Sequence, residues 1–69
     1  MNINLSAREL EILAQIKLGK TNKDIASSLN IAVGTVKLHV NSIFRKLGVS
    51  NRVQAVCVSS EISARDGVN

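Results

Sequence analysis

Residues 22–47 read NKDIASSLNIAVGTVKLHVNSIFRKL, and this stretch decides the fold. It contains a short helical segment, a break at Asn30, and a longer helix with two unlike sides. At about 100° per residue, Val36, Val40, Ile43 and Leu47 fall in one narrow stripe. Gly34, Lys37, Leu38, Asn41 and Arg45 lie nearly opposite. The apolar stripe suits a core. The other side presents two cations, an amide, a glycine and one large aliphatic group. Lys can reach guanine edges, Asn can bond adenine, an aliphatic side chain can meet a thymine methyl, and Arg can hold phosphate. That face has the chemistry needed to lie in the major groove of DNA.

The helices on either side follow from their punctuation. Ser6 precedes an apolar-periodic run with Glu9 three positions later, the pattern of a capping box. A first helix is expected from about Ala7 to Leu18, stopped by Gly19. Thr21 and Asp24 repeat the box more weakly and open a second helix, about Asn22 to Leu29. Asn30 tolerates the left-handed conformation that ends it. The third helix runs from about Val33 to Leu47 and ends at Gly48. Ser50 or Asn51 caps a fourth, with Gln54 as the back-bonding partner if Asn51 is the cap. That helix continues to about Ala64, and residues 65–69 form a polar tail. The expected architecture is all-α: one compact four-helix domain over 1–69, with its core at about 5–64.

Composition narrows the function. The 69 residues include one Phe, no Trp, no Tyr and no Pro, so the core must be aliphatic. A chain this short buries only about 60% of its unfolded surface, which makes its stability marginal. A single Cys rules out an internal disulfide and a multi-Cys zinc site, and it suggests a reducing compartment. No apolar run is long enough to span a membrane, and the N-terminus lacks a signal-peptide pattern. The expected location is the cytoplasm. The net charge of +4 is concentrated: residues 17–52 carry +6, and each flank carries −1. The positive charge therefore sits on the helix pair, as a nucleic-acid footprint requires. One His, one Cys and no paired carboxylates on a concave site exclude an enzyme, and no metal or cofactor is expected.

The run LSARELEIL, then TNKDIA, TVK-x-H and KLGV-x-N-R-x-x-A, closely resembles the DNA-binding domain of LuxR-type regulators (the LuxR/FixJ/NarL/GerE group). The resemblance spans residues 5–56. It implies a helix-turn-helix formed by the second and third helices, with the fourth serving dimerisation. It also implies a sequence-specific, double-stranded DNA-binding homodimer that regulates transcription, with RNA polymerase as a candidate further partner. Carried over by position, Lys37, Leu38 and Asn41 match places that reach base edges. Asn22, Lys23, Thr35, Arg45 and Lys46 match or adjoin places that hold phosphate. Gly34 would let the helix backbone come close to DNA. Such domains usually follow a sensory domain, and none is found in this sequence.

Three positions depart from the family pattern. Ala32 replaces the usual Ser cap of the third helix, a loss worth about 1 kcal/mol. Gly34 lowers helix propensity in the same turn by up to about 1 kcal/mol. Lys17 stands where a small residue is common. A recognition helix built this way is expected to order its first turn fully only on DNA.

The remaining faces carry weaker expectations. On the first helix, Leu10, Ala14 and Leu18 form a second apolar strip beside Ile12, Leu13 and Ile16; a broad buried face is the favoured reading. Arg8 and Glu9 are expected to form a structural polar pair. His39 is expected to orient its surroundings by a hydrogen bond; Arg52 could bond the C-terminal carbonyls of the third helix or reach phosphate, and the structural role is favoured. On the fourth helix, Val53, Val56, Cys57, Ser60 and Ala64 fall along one side, with Ala55, Val58 and Ile62 on the other. Two apolar stripes suggest that one covers the core and the other meets a second copy. The competing function is a protein-interaction module that acts through the apolar strips of the first and fourth helices.

Overall fold

The structure is a computed structural model that describes residues 4–59, so Ser60, Ile62, Ala64 and the 65–69 tail lie outside the described residues. Helices α1 (Ala7–Lys17), α2 (Asn22–Leu29) and α3 (Val33–Leu47) are followed by a fourth, α4, helical over 52–59. There is no strand among the described residues.

α1, α2 and α4 each begin on a side-chain cap. At α1, the Glu9 amide donates to Ser6 Oγ and the Ser6 amide donates to Glu9 Oε1, at 3.1 and 2.8 Å. At α2 the box is equally complete: the Asp24 amide donates to Thr21 Oγ1 and the Thr21 amide donates to Asp24 Oδ2, both at 3.1 Å. Asp24 thus does the work of a longer carboxylate, and these bonds from Thr21 hold its carboxyl below the usual carboxylate range. At α4, Asn51 Oδ1 accepts from the Gln54 amide at 2.9 Å, so Asn51 is the cap. Gln54 Oε1 reaches back one residue further than expected, to the Ser50 amide.

Terminations are left-handed. Asn30 adopts φ 57° and ψ 46°, and the Ile31 amide then closes back onto the Ala26 carbonyl at 3.0 Å. Gly48 takes φ 70°, and the Val49 amide bonds the Phe44 carbonyl at 2.9 Å. A side chain at Gly48 would be strained by this backbone alone.

Both α1 and α2 pack against α3. Ile12, Leu13 and Ile16 of α1, Ile25 and Ala26 of α2, and Val36, Val40 and Ile43 of α3 form one core, with Leu5, Leu29, Ile31, Phe44, Leu47 and Val56 packed around it. Burying an Ile or Val of this kind contributes about 1.5–3 kcal/mol relative to exposure. The core stripe of α3 is therefore the expected one, and it fixes which side of α3 faces out.

Two expectations about α1 are corrected. Leu10, Ala14 and Leu18 are not part of a broad buried face; all three are exposed, Leu10 at 54% and Leu18 at 74%. They lie on the side of α1 opposite Ile12 and Ile16, and no described element covers that side. Arg8 does not pair with Glu9: its guanidinium meets Glu11 at 3.6 Å, while Glu9 turns inward, 4% exposed.

Candidate nucleic-acid interface

Because Val36, Val40 and Ile43 are held in the core, the opposite side of α3 is presented to solvent. Gly34, Thr35, Lys37, Leu38, Asn41 and Arg45 are all exposed there or at its edge. Leu38 is 71% exposed, on the same side of α3 as Asn41 and Arg45. A large aliphatic side chain in that position loses hydrophobic free energy in the isolated domain, which only a further partner can recover.

The start of α3 differs from the other three helix starts. Ala32 offers no side-chain cap, and the first backbone bond of the helix is Val36 N–H to the Ala32 carbonyl, 3.1 Å. The amides of Val33, Gly34 and Thr35 thus have no acceptor within the helix. A Cβ built on Gly34 meets nothing within 4 Å. Glycine is not required there by the fold; it leaves the first turn open to approach. Amide donors, the positive helix end and the Thr35 hydroxyl together suit an anion such as phosphate.

Lys23 is exposed and Asn22 half-buried at the start of α2. Asn22 Oδ1 accepts from Arg52 Nη1 at 2.7 Å, and Arg52 Nη2 donates to the Lys20 carbonyl at 2.8 Å. Arg52 therefore has the structural role expected of it, although through the α1–α2 connection rather than the end of α3.

Lys46 sits on a different flank of α3 from Lys37 and Asn41. Its Nζ donates to Glu9 Oε1 at 2.8 Å, and Ser42 Oγ donates to Glu9 Oε2 at 2.7 Å. With the Ser6 amide, Glu9 accepts from three groups across two helices. The Lys46 bond first, then those from Ser6 and Ser42, hold its carboxyl down at about 2 against the penalty of burial. Lys46, a residue expected to hold phosphate, thus bonds Glu9 while its side chain stays 41% exposed. Sequence reasoning missed this hub because Ser42 and Lys46 lie more than thirty positions from Glu9. The signal was present as a carboxylate on the same side of α1 as Ile12 and Ile16, facing an i, i+4 Ser–Lys pair. The imidazole of His39, half-buried, makes no hydrogen bond among the described residues, so the orienting bond expected of it is not found.

On α4, Ala55 and Ser59 are buried and Val58 is half-buried, so this side turns inward. Val53, 73% exposed, and Cys57 face out. Val56 lies between, partly packed on the core. No group of His, Cys, Asp or Glu that could hold a metal occurs among the described residues. No described helix is long and apolar enough to cross a membrane.

Residues 3–59 match the family described as bacterial regulatory proteins, luxR family. The chain is 54% identical over 52 residues to the transcriptional regulatory protein LiaR of Bacillus subtilis, covering 75% of this chain and 25% of LiaR. It is 52% identical over 52 residues to the putative HTH-type transcriptional regulator YhjB of Escherichia coli, covering 75% of this chain and 26% of YhjB. The chain thus spans about a quarter of the length of these relatives. Among solved structures, the response regulator ChrA of a heme-sensing two-component system superimposes with TM-score 0.84 at 40% identity, over 91% of this chain and 31% of ChrA. The DNA-binding domain of the response regulator ComA, in complex with the anti-activator RapF, superimposes with TM-score 0.81 at 35% identity, over 83% of this chain and 98% of that domain.

Proposed function

Because the chain belongs to the luxR family of bacterial regulatory proteins, whose members here are transcriptional regulators with helix-turn-helix DNA-binding domains, we propose that it binds double-stranded DNA sequence-specifically as a homodimer, with α3 in the major groove. The observation that carries this reading is Leu38, 71% exposed on the side of α3 turned from the core, with Lys37 and Asn41 exposed beside it. Lys37 reads guanine, Leu38 a thymine methyl and Asn41 adenine. The first turn of α3, including Gly34 and Thr35, takes a phosphate, and Asn22, Lys23 and Arg45 take others. Lys46 can join them with the donors that its single bond to Glu9 leaves over. Val53, Val56, Cys57 and Ser60 meet their copies across a two-fold axis, which doubles the base contacts that one small domain can offer. Half-sites then lie about one helical turn apart. Such a dimer works in the cytoplasm, at promoters read by RNA polymerase.

The test is selection of bound duplexes from a random pool, followed by titration at several salt concentrations. Expected are a palindromic site, binding that weakens steeply with salt, and a loss for Leu38→Ala confined to one base pair. A selected site without symmetry, or no stronger than its isolated half, overturns the dimer. Salt-insensitive binding overturns the groove reading.

A second reading adds a protein partner. The exposed Leu10–Ala14–Leu18 strip favours it, and so does the anti-activator bound to the ComA domain. The occupant would be a regulatory protein with an apolar face. Leu10→Ser with Leu18→Ser should then leave DNA affinity unchanged while altering regulation in the cell; unchanged regulation sinks it.

A further inference from the structure

The guanidinium of Arg52 ties the start of α4 to two points on the far side of α1: Lys20 O at 2.8 Å and Asn22 Oδ1 at 2.7 Å. These partners lie 32 and 30 positions away in the chain, so the fork is a tertiary clasp. Asn22 is the first residue of α2, next to exposed Lys23. A guanidinium carries donors only. The Asn22 amide can therefore offer it nothing but the carbonyl oxygen, and which way the amide points is decided by its neighbour.

Turning Oδ1 to Arg52 leaves the two N–H donors of Nδ2 on the opposite limb. No described residue accepts from Nδ2. Flipping the amide would set an NH2 against a guanidinium and lose a charge-assisted bond, among the stronger kinds of hydrogen bond in proteins. We propose that Arg52 is a positioning residue for DNA binding: it locks the Asn22 amide with its NH2 outward, as a preset donor for a backbone phosphate at the start of α2. This rests on the reading above that Asn22 meets phosphate, and it adds why a neutral, half-buried amide is fit for that task. The bond to Arg52 also draws electron density toward Oδ1, which leaves the Nδ2 protons more positive.

The test is a double-mutant cycle on DNA affinity with the chain as it stands. Because phosphate contacts are sequence-independent, a labelled mixed-sequence duplex of about 20 base pairs at low salt serves as the probe. Asn22→Ala should weaken binding about tenfold, the scale of one charge-assisted hydrogen bond. Arg52→Ala should weaken it to a similar extent, and the double variant should be no weaker than either single one. Losses that multiply overturn the proposal, since Arg52 then acts on DNA by itself. So does an Arg52→Ala protein that binds like the parent while Asn22→Ala does not. An Asn22→Ala protein that binds like the parent removes the phosphate reading first, and the positioning role with it.

Two further variants guard against a folding artefact. Asn22→Asp keeps an acceptor for Arg52, so its thermal midpoint should match or exceed the parent's while its DNA affinity falls at least as far as that of Asn22→Ala. Parent-like affinity in Asn22→Asp overturns the donor role. Arg52→Lys cannot bond both Lys20 O and Asn22 Oδ1 in a fork. It should lose part of the affinity when introduced into the parent and none when introduced into the Asn22→Ala variant; an equal loss in both overturns the proposal.

Discussion

Helices α1 and α3 start in opposite ways. α1 opens on a complete capping box whose carboxylate also takes Ser42 and Lys46 of α3. α3 opens on Ala32 and Gly34, with no side-chain bond at its cap. One start is fastened three times over, and the other leaves three amides without an acceptor in the helix. The difference separates two needs of a small domain. The Glu9 carboxylate fastens α1 to the flank of α3 away from Leu38. The end of α3 proposed to meet a partner is left with unsatisfied donors and an open first turn.

The largest effect is expected at the fastened start. Glu9→Ala removes the acceptor of Ser42 and Lys46 and should cost about 2–4 kcal/mol, read by urea denaturation. A loss under about 1 kcal/mol would mean that the hub is ornamental and that the two starts do not differ in weight. The same carboxylate sets an acid limit. Its folded-state value of about 2 lies below the ordinary 4.5, so its contribution is fully present above pH 4.5 and fades as pH falls through 2. That contribution is about 2–3 kcal/mol at most. The thermal midpoint should drop over this window, and Glu9→Gln should flatten the drop.

Next comes the open start. Ala32→Ser supplies the missing cap and should stabilise the free domain by about 1 kcal/mol, measured as a rise in thermal midpoint. Gly34→Ala should add up to about 1 kcal/mol, since the new methyl meets nothing in the fold. Both variants should nonetheless bind DNA more weakly, one because a hydroxyl now competes for the amides and one because the backbone can no longer approach. Tighter DNA binding by both would erase the contrast. The smallest effect is on amide exchange of Val33 to Thr35, which should slow on adding DNA more than that of Ala7 to Glu9. Equal protection in free and bound forms would show that the first turn of α3 needs no partner.

How far the sequence anticipates this follows from range. The bounds of α1 to α3 were legible because their signals are local: Ser6 with Glu9, Thr21 with Asp24, Asn30 and Gly48 act within a few residues. The outward face of α3 was legible too, because a buried stripe at Val36, Val40 and Ile43 fixes its opposite. Glu9 was legible only as a cap, since a carboxylate three residues after a Ser explains itself that way; its place on the Ile12 side of α1 was the overlooked sign of a second role. The side of α1 that lies bare was not legible. Leu10, Ala14 and Leu18 form as regular a strip as Ile12 and Ile16, and periodicity alone does not say which strip meets a neighbour. Arg52 fell between: a structural role was expected of it at the end of α3, but its partners, Asn22 and Lys20, were hidden by the fold.

The bare apolar side chains also govern how the protein behaves in a tube. Leu10, Leu18 and Val53 stand largely in solvent on a chain whose net charge is +4 and whose isoelectric point is about 9.9. Mutual charge repulsion is what keeps such surfaces apart in dilute buffer. High salt would screen it, and alkaline buffer near the isoelectric point would abolish it. Colloidal stability should therefore be best in mildly acidic, low-salt solution, above the range where Glu9 begins to titrate.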